Sequence, residues 1–354
     1  MDFDLTDDQK EIKGVARELL GARSPFAKVR EAAESERYDQ ALWDEIVSLG
    51  WPGIAVAEEH GGQGLGAVEL AVLLEELGYA CAGTPFLGTA VAAAVIDAAG
   101  SKAQRGRWLS RLAAGEARAG VGMRELIADG AHANVVVVVE PDGAQLIENP
   151  ETEPFRAIDA TRRFARLRDA DEGEPLQGGA SERVHAAVAA EVVGVSQRAL
   201  EMTLAYVKER KQFGVPVGSF QAVSHRCAQM LLHTESARST AYFAAWAAGA
   251  DVERLPEAAA LAAAAAADGG REVAASAIQA HGGIGFTWEA DVHWLYKRAQ
   301  LDAALLGGGG RHRATLARAA AARAAAPGTA APRSAAPRTA VPRAAASRAA
   351  VPAH

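Results

Sequence analysis

The chain has 354 residues, of which 49% are apolar, 23% charged and 6% aromatic, and its formal net charge is −7. At roughly 150 residues per domain, this length predicts about two domains with a buried core and excludes a disulfide-stapled miniprotein or a disordered polypeptide. Because Cys81 and Cys227 form no Cys-x-x-Cys pair or Cys/His cluster, we expect a reducing cytoplasm, no disulfide framework and no metal site. An acidic, polar N-terminus and short apolar runs predict no export signal and no membrane span.

Residues 1–118 have the pattern of a helical domain. Thr6 is a capping residue for a run in which Ile12, Val15 and Leu19 recur at helical spacing. The same periodicity is found in segments 38–49, 67–79, 85–99 and 104–114. We therefore expect an antiparallel bundle of four or five helices.

Residues 119–180 have a different pattern, which predicts a reduced β domain. Segment 134–139 reads NVVVVV and is followed by Pro-Asp-Gly and then AQLIE, a sequence typical of a β-hairpin. A further short strand is predicted at 163–168. About sixty residues leave room only for a very small sheet.

Residues 181–318 return to a helical pattern, and residues 319–354 do not keep it. Long helices are predicted at 184–208, 221–248 and 257–278.

From Ala319 the chain is a low-complexity run of Ala, Pro and Arg, which predicts a disordered tail. Residues 313–354 hold seven arginines and no acidic residue, so the rest of the chain carries a formal charge of −14. With no lysine or aromatic residue beside these arginines, we expect the tail to bind neither nucleic acid nor membranes.

Two motifs in the third stretch carry chemical information. YVKERKQFGVPVGSFQAVSHRCAQM, residues 206–230, places Arg210 near a helix end, where a guanidinium can grip a diphosphate bidentately. QAHGGIGFTWEADVHWLYKRA, residues 279–299, places Gly282 and Gly283 at a break between helices, where the backbone can approach a ligand closely. Each motif alone is a weak signal, so their combination decides the interpretation.

Together, at this spacing and after an α then β order, the motifs resemble the acyl-CoA dehydrogenase family. The resemblance extends to about Arg318 and implies a mainly α fold with a small β domain between an N-terminal helical domain and a C-terminal four-helix bundle. It also implies FAD bound across a subunit interface, with this chain contacting the adenosine diphosphate half of a neighbour's FAD. The cofactor-binding residues that the resemblance implies are Arg210, Phe213, Gln221, Gln279, Gly282 and Gly283.

The catalytic base of the family is missing from this sequence. Members remove the α proton of an acyl thioester with a glutamate while hydride leaves the β carbon for the flavin. The usual position of that glutamate falls here on Leu306, and a minority position on the long helix falls on Val184. Glu182 lies two residues from the second position, but a shift that far would misplace Gly194, so Glu182 is interpreted as an exposed carboxylate at a helix start. The resemblance thus implies no catalytic residue in this chain.

The middle domain departs from the family as well. The strand with a T-E-x-x-x-G-S-D-like pattern, which holds the isoalloxazine ring in relatives, is replaced by GVGMRELIADGAHANVV. This chain keeps the cofactor-binding residues but lacks the catalytic base and the strand that holds the isoalloxazine ring. In this it resembles the small, non-catalytic β subunit of heteromeric actinobacterial acyl-CoA dehydrogenases. That resemblance implies an α2β2 heterotetramer, a larger catalytic partner that binds most of the acyl-CoA, and a steroid side-chain CoA as one substrate class.

Two other interpretations stay open. The chain is a complete homomeric acyl-CoA dehydrogenase if Glu182 is a relocated base, and a binding or scaffold protein if it holds no flavin at all. For His281 and His293, which flank the glycine turn, we expect capping or solvent-exposed roles.

Overall fold

The computed structural model describes residues 4–141, 143–168 and 173–325. The chain divides into two units, Met1–Leu316 and Ala317–His354. In the second unit the described residues are helical as far as Ala325, although disorder is predicted from Ala319. The rest of the predicted tail, residues 326–354, lies outside the described residues.

Helices build the N-terminal part of the chain. They are α1 (Asp7–Arg23), α2 (Phe26–Ser35), α3 (Gln40–Ser48), α4 (Ala67–Ala80), α5 (Phe86–Ala99) and α6 (Lys102–Ala113). Thr6 and Gln9 form a capping box at the start of α1, and Ser101 and Gln104 form another at α6. The sequence pattern misses α2 because its ten residues include few large apolar side chains; the helix buries Val29 and two alanines.

The middle part is a mixed sheet with more strands than the sequence pattern shows. Its strands are β1 (Ala119–Met123), β2 (Leu126–Ala128), β3 (Val135–Glu140), β4 (Gly143–Glu148), β5 (Thr152–Phe155), β6 (Phe164–Leu167) and β7 (Glu174–Leu176). They lie in the order β5-β6-β2-β1-β3-β4-β7, and only β1 and β3 pair in parallel.

The predicted hairpin and third strand are confirmed as β3, β4 and β6. Val135 pairs with Glu148 and Val139 with Ala144 in the hairpin register, while Asp142 of its turn lies outside the described residues. The other four strands have no alternating apolar pattern, since two have only three residues and β1 has two glycines. The expectation of a very small sheet therefore underestimates it.

The C-terminal part is a second set of helices. They are α7 (Ala180–Glu209), α8 (Gln221–Ala250), α9 (Leu255–His281), α10 (Val292–Leu305) and α11 (Gly309–Ala325), with a short hairpin of β8 (Lys211–Gln212) and β9 (Val215–Pro216) after α7. The sides of α8 and α9 that face the core are lined by alanine, which allows close packing on α7. None of the described helices is long and apolar enough to cross a membrane.

Helix α7 crosses α4 at a point where both helices carry glycine. A Cβ atom at Gly194 would lie 1.8 Å from the backbone oxygen of Glu75, and one at Gly78 would lie 2.2 Å from the backbone oxygen of Glu191. No side chain fits at either position unless the helices separate. These two glycines therefore set the distance between the N-terminal and C-terminal helices.

We expect Gly194→Ala to lower the free energy of unfolding by about 1–3 kcal/mol, because the added methyl group pushes α7 away from α4. Gly14→Ala on α1 is the matched control, since a Cβ atom there meets nothing within 4 Å. That control should gain about 0.5–1 kcal/mol from helix propensity. Urea denaturation measures both changes, and equal stabilisation by the two substitutions would contradict the close crossing.

A buried ion-pair cluster joins the sheet side of the chain to the C-terminal helices. It consists of Asp159, Arg162, Glu191, Arg298 and Asp302, each at most 3% exposed. Arg298 Nε lies 2.6 Å from Asp159 Oδ2, and its Nη1 lies 2.9 Å from Glu191 Oε1. Arg162 Nη1 lies 2.6 Å from Asp302 Oδ1, and Arg162 also pairs with Glu191. The segment between β5 and β6 is thereby fixed to α7 and α10.

The cluster contains three carboxylates and two guanidinium groups. Burial, together with the charge of Glu191, raises the pKa of Asp302 to about 7. Burial also acts to raise the pKa of Asp159, but the positive charges of Arg298 and Arg162 have the larger effect and lower this pKa below its usual value. The Asp159 carboxylate therefore stays ionised. The Asp302 carboxyl group consequently takes up a proton near neutral pH.

Asp302→Asn is expected to become more stable relative to the wild type as the pH rises from about 4 to about 7. The raised pKa of Asp302 means that the folded wild type holds a proton that the unfolded chain releases, so this carboxyl contributes less stability at higher pH. Buried histidines with lowered pKa values have the opposite effect over this range, but they are common to both proteins and cancel in the difference. Urea denaturation at pH 5 and pH 8 measures the free energy of unfolding of both proteins. If their difference in stability were the same at both pH values, the raised pKa of Asp302 would be refuted.

Candidate functional site

The two sequence motifs meet where α7 and α9 end. The rings of Tyr206, near the end of α7, and His281, the last residue of α9, are stacked with centroids 4.5 Å apart. His281 Nδ1 lies 2.7 Å from the backbone oxygen of Ala277, which confirms the capping role expected for this histidine. Arg210 follows one turn after Tyr206, and Gly282 follows His281 directly. The structure therefore places the two motifs side by side.

Arg210 lies at the end of α7 with its side chain exposed. Its backbone N–H donates to the Tyr206 oxygen over 2.9 Å, and its backbone oxygen accepts from Val217 N–H over 2.7 Å. Both backbone contacts fix the position of the residue, yet no group among the described residues forms a hydrogen bond or ion pair with the guanidinium. The fork of N–H donors is consequently free to bind an anion.

Phe213 is presented by a tight turn. Lys211 pairs with Pro216 and Gln212 with Val215, and the two central residues Phe213 and Gly214 have φ angles of +53° and +82°. Positive φ at both central positions is typical of a type I′ turn, and it strains a phenylalanine. The ring is 93% exposed. An exposed aromatic ring held in a strained turn is a feature found at binding surfaces.

The glycine turn after α9 has distinct requirements at each position. Gly282 has φ +64° and ψ −143°, a conformation that glycine alone adopts readily. A Cβ atom at Gly285 would lie 2.4 Å from the backbone oxygen of Ile278, so this glycine is needed for packing. Gly283 is exposed with nothing within 4 Å of a Cβ atom, so a ligand can approach its backbone.

The two predicted glutamine ligands lie at helix ends. Gln279 is exposed in the last turn of α9, beside the glycine turn. Gln221 is the first residue of α8, directly after the hairpin region, and is also exposed. The predicted cofactor-binding residues therefore all lie at the surface of the chain.

The position of the missing base is closed by apolar and aromatic side chains. Leu306 is fully buried at the end of α10, and its backbone oxygen lies 2.7 Å from His312 Nε2. The His312 ring contacts the His185 ring edge to face, 4.9 Å between centroids. His185 directly follows Val184, the other position where a base is found in the family, and Val184 is also buried.

No side chain at that position is suited to remove a proton. Burial and the neighbouring His312 lower the pKa of His185 to about 3, so its imidazole is neutral and a weak base. Glu182 lies in the first turn of α7, partly exposed. That this chain carries no base at the family positions stays a prediction.

The interior next to these residues offers little space. A cavity between α4, α5, α7 and α8 has a volume of about 30 Å³ and is lined mainly by alanine, leucine and valine. A pocket that holds a small organic ligand has some 300–1,000 Å³. That cavity has room for about one water molecule.

The chemistry of the surface groups in the two motifs suits the diphosphate that FAD carries. The free guanidinium of Arg210 and the open backbone at Gly283 suit a diphosphate. By contrast, the closed packing of Leu306, His185 and His312 leaves no place for a flavin ring and an acyl thioester at the position of the family base.

Comparison with known proteins identifies the chain over most of its length. The N-terminal domain of acyl-CoA dehydrogenases matches residues 6–116, and the C-terminal domain of acyl-CoA dehydrogenases matches residues 179–321. The acyl-CoA dehydrogenase IpdE2 of Mycobacterium tuberculosis is 34% identical over 306 residues, which are 85% of this chain and 93% of that protein. The acyl-CoA dehydrogenase FadE34 of the same organism is 34% identical over 341 residues, which are 87% of this chain and 47% of that protein.

Two solved structures are similar in fold. A chain of a variant of the Tcur3481-Tcur3483 steroid ACAD matches with a TM-score of 0.82 and 28% identity, covering 90% of this chain and 99% of its own. A chain of the ChsE4-ChsE5 complex from Mycobacterium tuberculosis matches with a TM-score of 0.80 and 23% identity, covering 91% and 99%. These similarities confirm the predicted fold, and the chain belongs to the acyl-CoA dehydrogenase family of oxidoreductases, whose members use FAD.

Proposed function

We propose that this chain is the non-catalytic β subunit of a heteromeric, FAD-dependent acyl-CoA dehydrogenase. With a larger catalytic partner it completes an FAD site, and the assembled enzyme converts a saturated acyl-CoA to the trans-2-enoyl-CoA. The observation that carries the proposal is the combination of an unpaired Arg210 on the surface with a buried Leu306 where the base is expected. We further propose that residues 1–118, 119–180 and 181–318 are its three domains.

Its own residues would bind and orient the cofactor. Arg210 would donate two hydrogen bonds to the diphosphate, and the backbone of Gly283 and the amide of Gln279 would approach the same group. Phe213 would cover the adenosine, with Gln221 supporting this surface from the start of α8. FAD, when bound, supplies the acceptor for the hydride that leaves the β carbon.

The partner would contribute the base, the wall behind the flavin ring and most of the acyl-CoA site. This division follows from the closed interior of this chain, where the cavity between α4, α5, α7 and α8 has only about 30 Å³. Two similar structures carry names of paired proteins, one of them a steroid ACAD, which supports a partner subunit. We extend the proposal to an α2β2 assembly and to a steroid side-chain CoA as substrate. FadE34 is about twice as long as its region that matches this chain, so a second segment accompanies that region in this relative, which supports a partner for this chain. Cys81 and Cys227 are buried and unpaired, which fits the cytoplasm.

Counting FAD in the purified complex tests the proposal. If each β chain completes one site on a catalytic partner, an α2β2 complex holds two FAD molecules, and this chain alone holds none. The flavin absorbance at 450 nm, divided by the mass from light scattering, gives this number. One FAD for every chain in the assembly would contradict a divided site.

Glu182→Gln in this chain should leave the turnover of the complex unchanged within about twofold, because the carboxylate acts on no substrate atom. If Glu182 were a relocated base in a homomeric enzyme, its loss would lower kcat by several orders of magnitude. Steady-state kinetics with an acyl-CoA and an artificial electron acceptor distinguish the two cases.

A further inference from the structure

Buried polar side chains without a hydrogen-bond partner occur both inside and outside the two motifs. Inside them, His293 is only 9% exposed and neither ring nitrogen has a partner among the described residues, so the expectation that it is capping or solvent-exposed is wrong. Outside them, Ser24, which directly follows α1, is only 8% exposed, and its hydroxyl forms no hydrogen bond with a described residue. A buried hydroxyl of this kind favours a place where a ligand supplies the missing partner.

Ser24 lines a cavity of about 190 Å³ between α1, α2, α4 and α7. Its wall also includes Arg17, Gly21, Phe26, Tyr79 and Arg198. A pocket that holds a drug-sized ligand has some 300–1,000 Å³, so this cavity admits only a ligand of a few non-hydrogen atoms. It shares no residue with the two sequence motifs.

Arg198 is a cation of this cavity without an acidic partner. Its Nη1 donates to the Tyr79 hydroxyl over 3.0 Å, and its guanidinium carbon lies 5.0 Å from the centroid of the Tyr79 ring and 5.5 Å from that of Phe26. Among the described residues no carboxylate forms an ion pair with it. The other N–H groups of Arg198 are therefore available to an anion, in the forked geometry that matches a carboxylate.

The other charges around the cavity limit the charge of that anion. Arg17 is paired with Glu76 through two hydrogen bonds, one of them 3.0 Å long. Glu76 also lines the cavity and is 1% exposed, and Glu201 accepts a hydrogen bond from the Tyr79 hydroxyl. Both carboxylates repel a second negative charge, whereas the start of α2, which has no side-chain cap, favours a first one. The site is consequently suited to a monoanion rather than to a phosphate dianion.

The rest of the wall is apolar. Leu20, Pro25, Phe26 and Ala80 contribute it. Beside them is open space at Gly21, where a Cβ atom would meet nothing within 4 Å. A short hydrocarbon chain gains free energy by leaving water for such a surface, and it brings no polar atom that needs a partner. The ligand that fits the cavity therefore carries one carboxylate and a short apolar chain.

We propose that this cavity binds a small carboxylic acid in its ionised form, with the carboxylate on Arg198 and the Ser24 hydroxyl and the chain against Leu20 and Phe26. The bound acid connects the junction of α1 and α2 to α7. Because the cavity contains neither Arg210 nor the glycine turn, this binding is independent of the proposed function.

Saturation-transfer NMR on the isolated full-length chain tests the cavity, with butyrate, n-butanol and inorganic phosphate as probes. Butyrate should bind, and Arg198→Gln should weaken its binding by about tenfold or more, as expected when a charge-assisted hydrogen bond is lost. Gly21→Leu fills the open space, keeps every charge and should abolish binding. Gly14→Leu is the matched control on α1, because a Cβ atom there also meets nothing within 4 Å and Gly14 does not line the cavity. This control should bind butyrate as the wild type does, and thermal unfolding shows that each variant is folded.

Three results would overturn the proposal. The first is no binding of butyrate, or butyrate binding that neither Arg198→Gln nor Gly21→Leu changes, since the acid would then bind elsewhere. The second is binding of n-butanol as tight as that of butyrate, since the guanidinium would then contribute nothing. The third is binding of phosphate tighter than that of butyrate, since the site would then select a dianion.

Discussion

Arg210→Ala is expected to strip most of the FAD from the assembled enzyme, weakening its binding by about 10–100-fold. The guanidinium is exposed at the end of α7 and has no partner in the part of the chain that the structure describes. Charge-assisted hydrogen bonds from such a group contribute about 1.5–3 kcal/mol. Since its backbone N–H and C=O are held by Tyr206 and Val217, truncation removes the contact without disturbing the hairpin. Flavin absorbance after gel filtration of the complex measures the loss.

Two variants sharpen that result. Arg210→Lys keeps the charge but not the forked geometry, so the complex should retain an intermediate amount of FAD. Arg271→Ala removes an exposed arginine from α9, away from the glycine turn, and should leave the flavin content unchanged. Equal flavin content in the Arg210→Ala and wild-type complexes would exclude Arg210 from the FAD site.

Arg298→Met should destabilise the chain more than any surface substitution, by about 3–5 kcal/mol. The substitution leaves Asp159 and Glu191 buried without the guanidinium that both carboxylates contact, and an uncompensated buried charge has a cost of this size. It also removes the donor to the backbone oxygen of Ala82. Urea denaturation followed by circular dichroism measures the change.

Arg23→Met is the matched control, since Arg23 forms an ion pair with Glu45 at the protein surface. Its removal should leave the unfolding midpoint nearly unchanged, because water solvates both groups. If the two substitutions had equal effects, the cluster of Asp159 and Arg298 would not hold the sheet side of the chain to the helices.

Much of the fold can be predicted from periodicity. The helices that bury a continuous apolar stripe, such as α4 and α5, and the hairpin of β3 and β4 are evident in the sequence, because each pattern reflects local geometry. Helix α2 and the short strands β1, β2, β5 and β7 are not, since these segments are short and none has a clear apolar pattern of its own. Their formation depends on the assembled core.

The candidate site, too, can be predicted from the sequence only in part. Residue types and spacing are enough to single out Arg210 and the glycine turn, but not the left-handed turn that exposes Phe213. The contact between His185 and His312, which closes the position next to Leu306, joins residues more than a hundred positions apart. The ion-pair cluster is not evident in the sequence either, because its members come from three separate segments, around Asp159, Glu191 and Arg298.

The activity of this chain with and without its catalytic partner is the most direct test of the account. The chain purified alone should be colourless and should not oxidise an acyl-CoA, whereas the complex with the partner should be yellow and active with an artificial electron acceptor. The partner alone should regain activity when this chain and FAD are added. A yellow, active homo-oligomer of this chain, or a complex without flavin, would contradict it.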